Sequence, residues 1–194
     1  MKKVIIVHGW EGSPEEPMHK WLKEKLEEKG FEVIVPEMPN PAKPKIEEWV
    51  GKLKEVVGNP NGETYLIGHS VGCQGVLRYL ETLSEGLKIG GMVLIAPWMH
   101  LDKNTIEEEG EEVKEIAKPW MEIPISFENV KSHTDKIVCI FSDNDPYVPL
   151  SETELFKKFL DAEIIIEKGK GHFTSSDNVI ENEIALNKIL EMAG

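Results

Sequence analysis

Short apolar runs alternate along this chain with longer stretches in which apolar and polar positions recur at helical spacing. Val4–Val7 is a β-branched run that ends at His8–Gly9, as a strand buried on both faces should end. From Met18 to Lys29 the period changes: Trp21, Leu22 and Leu26 share one helical stripe, and Gly30 closes it. Phe31–Val35 predicts the next strand, stopped by Pro36, and a loop holds Pro39, Pro41 and Pro44. Ile46, Trp49, Val50, Leu53, Val56 and Val57 mark a second amphipathic helix, followed by a turn at Gly58–Gly62. Thr64–Ile67 then predicts a strand and Cys73–Leu83 a helix. Met92–Ala96, Lys136–Ser142 and Glu163–Glu167 predict three further strands, and Ser151–Leu160 and Ile180–Met192 two further helices. Ser151 and Glu154 are spaced as a capping box. This alternation predicts an α/β fold with a parallel sheet wrapped on both faces, in one domain over residues 1–194.

One interval breaks the rhythm. Between Pro97 and Lys136 the chain carries a glutamate cluster, Pro119–Trp120 and Pro124. A short helix around Thr105–Ala117 with an irregular return would fill it. The stretch 98–130 reads either as a small lid or as a longer crossover packed on the sheet. It is too short for a multi-helix cap.

Charge narrows the partners. The chain has 22 basic against 35 acidic side chains, a net charge of −13, which argues against nucleic-acid and anionic-membrane surfaces. Glu107, Glu108, Glu109, Glu111, Glu112 and Glu115 read as a solvated face. Cys73 and Cys139 lie inside apolar segments without metal or redox spacing, as buried thiols of a reduced compartment would. Only four apolar residues precede His8, too few for a signal peptide, so a cytoplasmic location is expected.

The chemistry sits at Gly68–His69–Ser70–Val71–Gly72, a G-x-S-x-G between a strand and a helix. A strand that reverses sharply into a helix needs glycine on both sides of the turning residue, and the turn lifts the serine hydroxyl out of the sheet. A serine nucleophile needs a base, and the base an orienting acid, in the chain order Ser, Asp or Glu, His. The Lys136–Ser142 strand runs into Asp143–Asn144–Asp145–Pro146, and the Glu163–Glu167 strand into Gly171–His172–Phe173. His172 is the candidate base. Of the two acids Asp145 is preferred, because a position past the strand end lets its carboxylate curl back; Asp143 then forms the turn. Val71 and Trp10 are the candidate oxyanion amides. Trp10, Trp98 and Trp120 are candidate pocket walls, although Trp10 could simply pack on the first helix. His8 and His69 suit loop packing near the site, and His19, His100 and His133 read as structural or exposed. No H-x-x-x-H, H-x-H, G-x-G-x-x-G or phosphate loop is present, so neither metal nor other cofactor is expected.

These motifs together resemble the small serine hydrolases of the retinoblastoma-binding protein 9 and YdeN type. The resemblance spans nearly the whole chain. It rests on His8–Gly9–Trp10–Glu11–Gly12–Ser13–Pro14 with Trp21, Pro36–Glu37–Met38–Pro39–Asn40–Pro41 with Trp49, the elbow from Tyr65 to Cys73, Ala96–Pro97–Trp98, Ser142–Pro149, and Gly171–His172–Phe173. It implies a compact α/β-hydrolase fold with minimal or no cap and a six-stranded, mostly parallel sheet in the order 2-1-3-4-5-6. It also implies the triad Ser70, Asp145 and His172 and hydrolysis of small esters or amides. The animal member's L-x-C-x-E partner motif is missing from this chain, so that partner does not carry over. The rival reading is a catalytically silent scaffold on the same fold.

Overall fold

The computed structural model describes residues 1–194, and its elements follow the apolar pattern closely. The strands are β1 (Lys3–Val7), β2 (Glu32–Ile34), β3 (Thr64–His69), β4 (Gly91–Ile95), β5 (Ile137–Ser142) and β6 (Glu163–Glu167). They form one sheet, ordered β2-β1-β3-β4-β5-β6. Every pairing is parallel. The expected order and a compact α/β-hydrolase architecture are therefore present.

The helices are α1 (Pro17–Glu28), α2 (Ile46–Val57), α3 (Val71–Leu80), α4 (Lys103–Glu109), α5 (Glu111–Glu122), α6 (Phe127–His133), α7 (Glu152–Leu160) and α8 (Glu183–Ala193). A 3₁₀ turn covers Ser175–Asp177. Helix α1 meets α8, while α2, α3, α6 and α7 follow one another on the opposite side. Strands β3, β4 and β5 are buried along their whole length, as strands covered on both faces must be. Leu22 and Leu26 hold α1 down with no exposed surface, each worth about 2 kcal/mol of burial. No helix is long and apolar enough to cross a membrane.

Two expectations need correcting. The interval after β4 forms three short helices, not one with an irregular return. Gly110, at φ 99°, separates α4 from α5, and Ser126 accepts from the Asn129 amide to start α6. Pro119 lies inside α5 one turn from its end without breaking it. All six glutamates of the cluster are exposed, as expected. The second correction concerns Ser151, whose side chain caps nothing. The preceding turn already supplies partners: Glu152 N–H donates to the Pro149 carbonyl and Thr153 N–H to that of Leu150.

Candidate active site

Ser70 stands between β3 and α3 at φ 53°, in the left-handed region that side chains avoid. Two close approaches enforce the turn. A Cβ on Gly68 would lie 2.7 Å from the Cys73 Cα, and one on Gly72 would run into the Val7 carbonyl oxygen. Backbone bonds hold the apex: the Ser70 amide donates to Ile95 and the Cys73 amide to Ser70. The hydroxyl is left at the C-terminal edge of the sheet, where ligands bind in open α/β folds.

His172 follows β6 in a loop that is pinned residue by residue. The Gly169 amide donates to Asp143 Oδ1, Lys170 to Ser142 Oγ, Gly171 to Asn144 Oδ1 and His172 to Asp177 Oδ2. Gly171 has φ 52°, and a Cβ there would strike the Asp177 carboxylate. The imidazole Nδ1 lies 2.8 Å from Asp145 Oδ2, and Nε2 lies 2.8 Å from Ser70 Oγ. A carboxylate without a proton only accepts, so the ring proton belongs on Nδ1 and the Nε2 lone pair faces the serine. Asp145 is nearly inaccessible, and its other oxygen accepts from the Tyr147 and Val148 amides. Asp143, the competing acid, is occupied by Gly169. The structure thus brings together the three residues chosen from the sequence.

The donors expected for an oxyanion lie on either side of Ser70. Val71 is the first residue of α3, so its N–H is among the free donors of the first turn. Trp10 follows Gly9, where a Cβ would sit 3.2 Å from the Ser70 Cβ, and the Trp10 amide has no backbone partner. The Trp10 indole donates to the Ala42 carbonyl.

A cavity of about 290 Å³ opens beside Ser70 and His172. Trp10 and Trp98 line it, as expected. Trp120 does not. It is buried edge-on to Trp49 with its indole donating to Pro44, because the apolar side of α5 docks inward there. Leu101, Ile106, Val113, Glu109 and Tyr147 take that wall instead, and Glu11 and Glu16 add two more carboxylates. The spacing of Ile106 and Val113 across Gly110 was the available signal for this wall. Burial pushes the Glu16 carboxyl above its usual range and His69 well below the usual imidazole value.

The chain resembles known proteins along nearly its whole length. The model of a family described as serine hydrolase matches residues 4–185. YdeN of Bacillus subtilis (strain 168) is 27% identical over 183 residues, covering 91% of this chain and 88% of that protein. The serine hydrolase RBBP9 of Rattus norvegicus is 25% identical over 175 residues, 89% of this chain and 82% of the relative. The crystal structure of the B. subtilis ydeN product superposes with a TM-score of 0.88 at 24% identity, covering 99% of this chain and 98% of the other. A Pyrococcus furiosus esterase shares the fold at TM-score 0.62 and 18% identity, over all of this chain and 82% of its own.

Proposed function

The chain belongs to the serine hydrolase family, and from that premise we propose that it cleaves small esters or amides through an acyl-enzyme on Ser70. The observation that carries this reading is the continuous chain of 2.8 Å contacts from Asp145 through His172 to Ser70. His172 Nε2 takes the hydroxyl proton as Ser70 Oγ attacks the carbonyl carbon. The Val71 and Trp10 amides receive the oxyanion, and His172 returns the proton to the leaving group. Water then attacks the acyl-enzyme by the same route, and Ser70 is restored. Asp145 holds the imidazole in the tautomer this requires.

A fluorophosphonate probe tests the proposal. One equivalent should label the wild-type protein at Ser70, and Ser70→Ala should take up none. Ser70→Ala should also lower kcat by on the order of 10⁴-fold or more with little change in Tm. Activity within tenfold of wild type in that variant rejects Ser70 as the nucleophile.

A further inference from the structure

Four histidines crowd behind the serine, and only His172 has a part in the hydrolytic scheme. His8 is fully satisfied: its Nδ1 donates to the Gly9 carbonyl at 2.9 Å and its Nε2 accepts from the Met38 amide at 3.1 Å. The other two are not. His69 Nε2 lies 2.8 Å from the His172 carbonyl oxygen, which can only accept, so the proton is on Nε2 and Nδ1 carries a lone pair. That Nδ1 is buried with no partner. His19 presents Nδ1 to two acceptors, the Ser13 carbonyl and Glu16 Oε2, each at 3.4 Å. Its Nε2 is likewise buried and unpartnered.

We propose that Glu16, His19 and His69 form a site for a divalent transition metal of the zinc class, set in the wall of the pocket behind Ser70. One donor atom from each of the three lies within 4.8 Å of the others. Glu16 stands just before α1 and His19 follows at i+3, its Nδ1 3.4 Å from Glu16 Oε2, while β3 supplies His69 from across the loop. Two imidazoles and a carboxylate suit zinc, cobalt or nickel. The bond from His69 to a backbone carbonyl is the outer contact that orients a metal-binding imidazole. Burial holds both imidazoles neutral, the ligating form, with His19 lowered to about 4. Glu16 and His69 line the cavity, which provides an entry path. Bonds of about 2.1 Å require the donors to close to roughly 3.4 Å. Glu16, whose side chain is partly exposed, can supply part of that movement by releasing the Ser13 amide from Oε1.

Occupancy would act on hydrolysis without joining it. His69 precedes the nucleophile, and a Cβ on Gly9 would be 3.3 Å from His69 Nδ1, so drawing His69 toward α1 disturbs the loop that carries the Trp10 amide. The metal should inhibit reversibly.

The test uses Ser70→Ala protein stripped with chelator, so that its result does not depend on the proposed hydrolysis. Titration with Co²⁺ should saturate at one equivalent with the visible absorption of a four-coordinate site, and Zn²⁺ should bleach it. Glu16→Gln and His19→Gln should each weaken Co²⁺ binding at least tenfold, whereas His172→Ala should keep it. Glu16→Gln, at a partly exposed position, guards against a fold lost by substitution of the buried His19. In the wild type, Zn²⁺ should slow ester hydrolysis and EDTA restore it, with the inhibition weakened in Glu16→Gln. No absorption band on titration overturns the site and leaves the two lone pairs to ordered water. A band that survives Glu16→Gln but vanishes in His172→Ala also overturns it, placing the metal on the triad histidine.

Discussion

The loops at the ends of β3, β5 and β6 and the excursion between β4 and β5 face each other across one cavity, but they are held in different ways. In the loop after β6 each amide from Gly169 to His172 has a named acceptor: Gly169, Lys170, Gly171 and His172 are each tied to a side chain of 142–145 or to Asp177. Their geometry is backbone geometry, and it places Ser70, Asp145 and His172 with little freedom. The excursion is instead three short helices fastened by side chains. Arg78 of α3 donates to the Trp120 and Ile123 carbonyls at the end of α5, and Glu152 accepts from the Met99 and His100 amides at its beginning. The reacting atoms are thus fixed by the strand-end loops, and the facing wall by contacts from other helices.

The division predicts where substitution acts on chemistry. Asp145→Asn should lower kcat/KM for a p-nitrophenyl ester by about 10³- to 10⁴-fold, because an amide cannot hold the imidazole in the same tautomer. Asp143→Asn should stay within about threefold, since its Oδ1 can still accept from Gly169. An exchange of ranks between the two would move the acid to Asp143 and break the account of the loops.

Acid should loosen the loop side through its buried histidines. His19 is lowered to about 4 by burial, against about 6.5 in an unfolded chain. Between those values the unfolded state binds a proton that the folded state does not, so stability rises with pH there. The contribution is complete above the unfolded value and lost as pH falls toward 4. Its size is on the order of 3 kcal/mol, and His69 shifts in the same direction. Urea unfolding across pH 7 to 4 should therefore show a shallower slope in His19→Gln. Equal slopes would show that the ring is accessible to water in the fold.

On the excursion side, Arg78→Leu should cost about 2 to 3 kcal/mol by stranding the buried oxygens of Gln74 and Trp120 and the part-buried one of Ile123. With roughly 2 to 4 °C per kcal/mol, the Tm should fall by about 5 to 10 °C. KM should rise more than kcat falls, because the wall moves while the triad stays. A loss confined to kcat would mean that the excursion positions the reacting atoms after all.

The same contrast governed what could be read from the sequence. The strand-end loops were legible because their constraints are local: glycines where any Cβ would meet backbone within 3 Å, a carboxylate past a strand end, a histidine between Gly171 and Phe173. The order of the sheet came from the family resemblance, not from these constraints. The excursion was not, since a glutamate-rich surface hides which face of a helix turns inward, and Gly110 and Pro119 resemble breaks whether or not a helix resumes. Trp120 reads as a pocket wall from sequence alone because its partners, Trp49 and Pro44, lie far away in sequence. The Glu16–His19 pair carries no signal in the sequence for the same reason, because His69 joins it only through the fold.

The smallest effect concerns acyl length, and it tests the wall directly. The cavity of about 290 Å³ lies at the lower end of ligand-site volumes. Its apolar lining of Trp98, Leu101, Ile106 and Val113 is bordered by Glu11, Glu16 and Glu109. A short acyl group can be enclosed there, whereas a long one must pass the rim and lie among exposed glutamates, with little apolar surface to offset its ordering. We therefore expect kcat/KM for p-nitrophenyl esters to peak at roughly two to six carbons and to fall about tenfold by ten, in keeping with the cavity size. Esters bearing a carboxylate on the acyl chain should do worse than neutral ones of equal length, and added salt should narrow that gap. A maximum at ten carbons or beyond would mean that α4 and α5 part to open a tunnel, making that wall the determinant of substrate length.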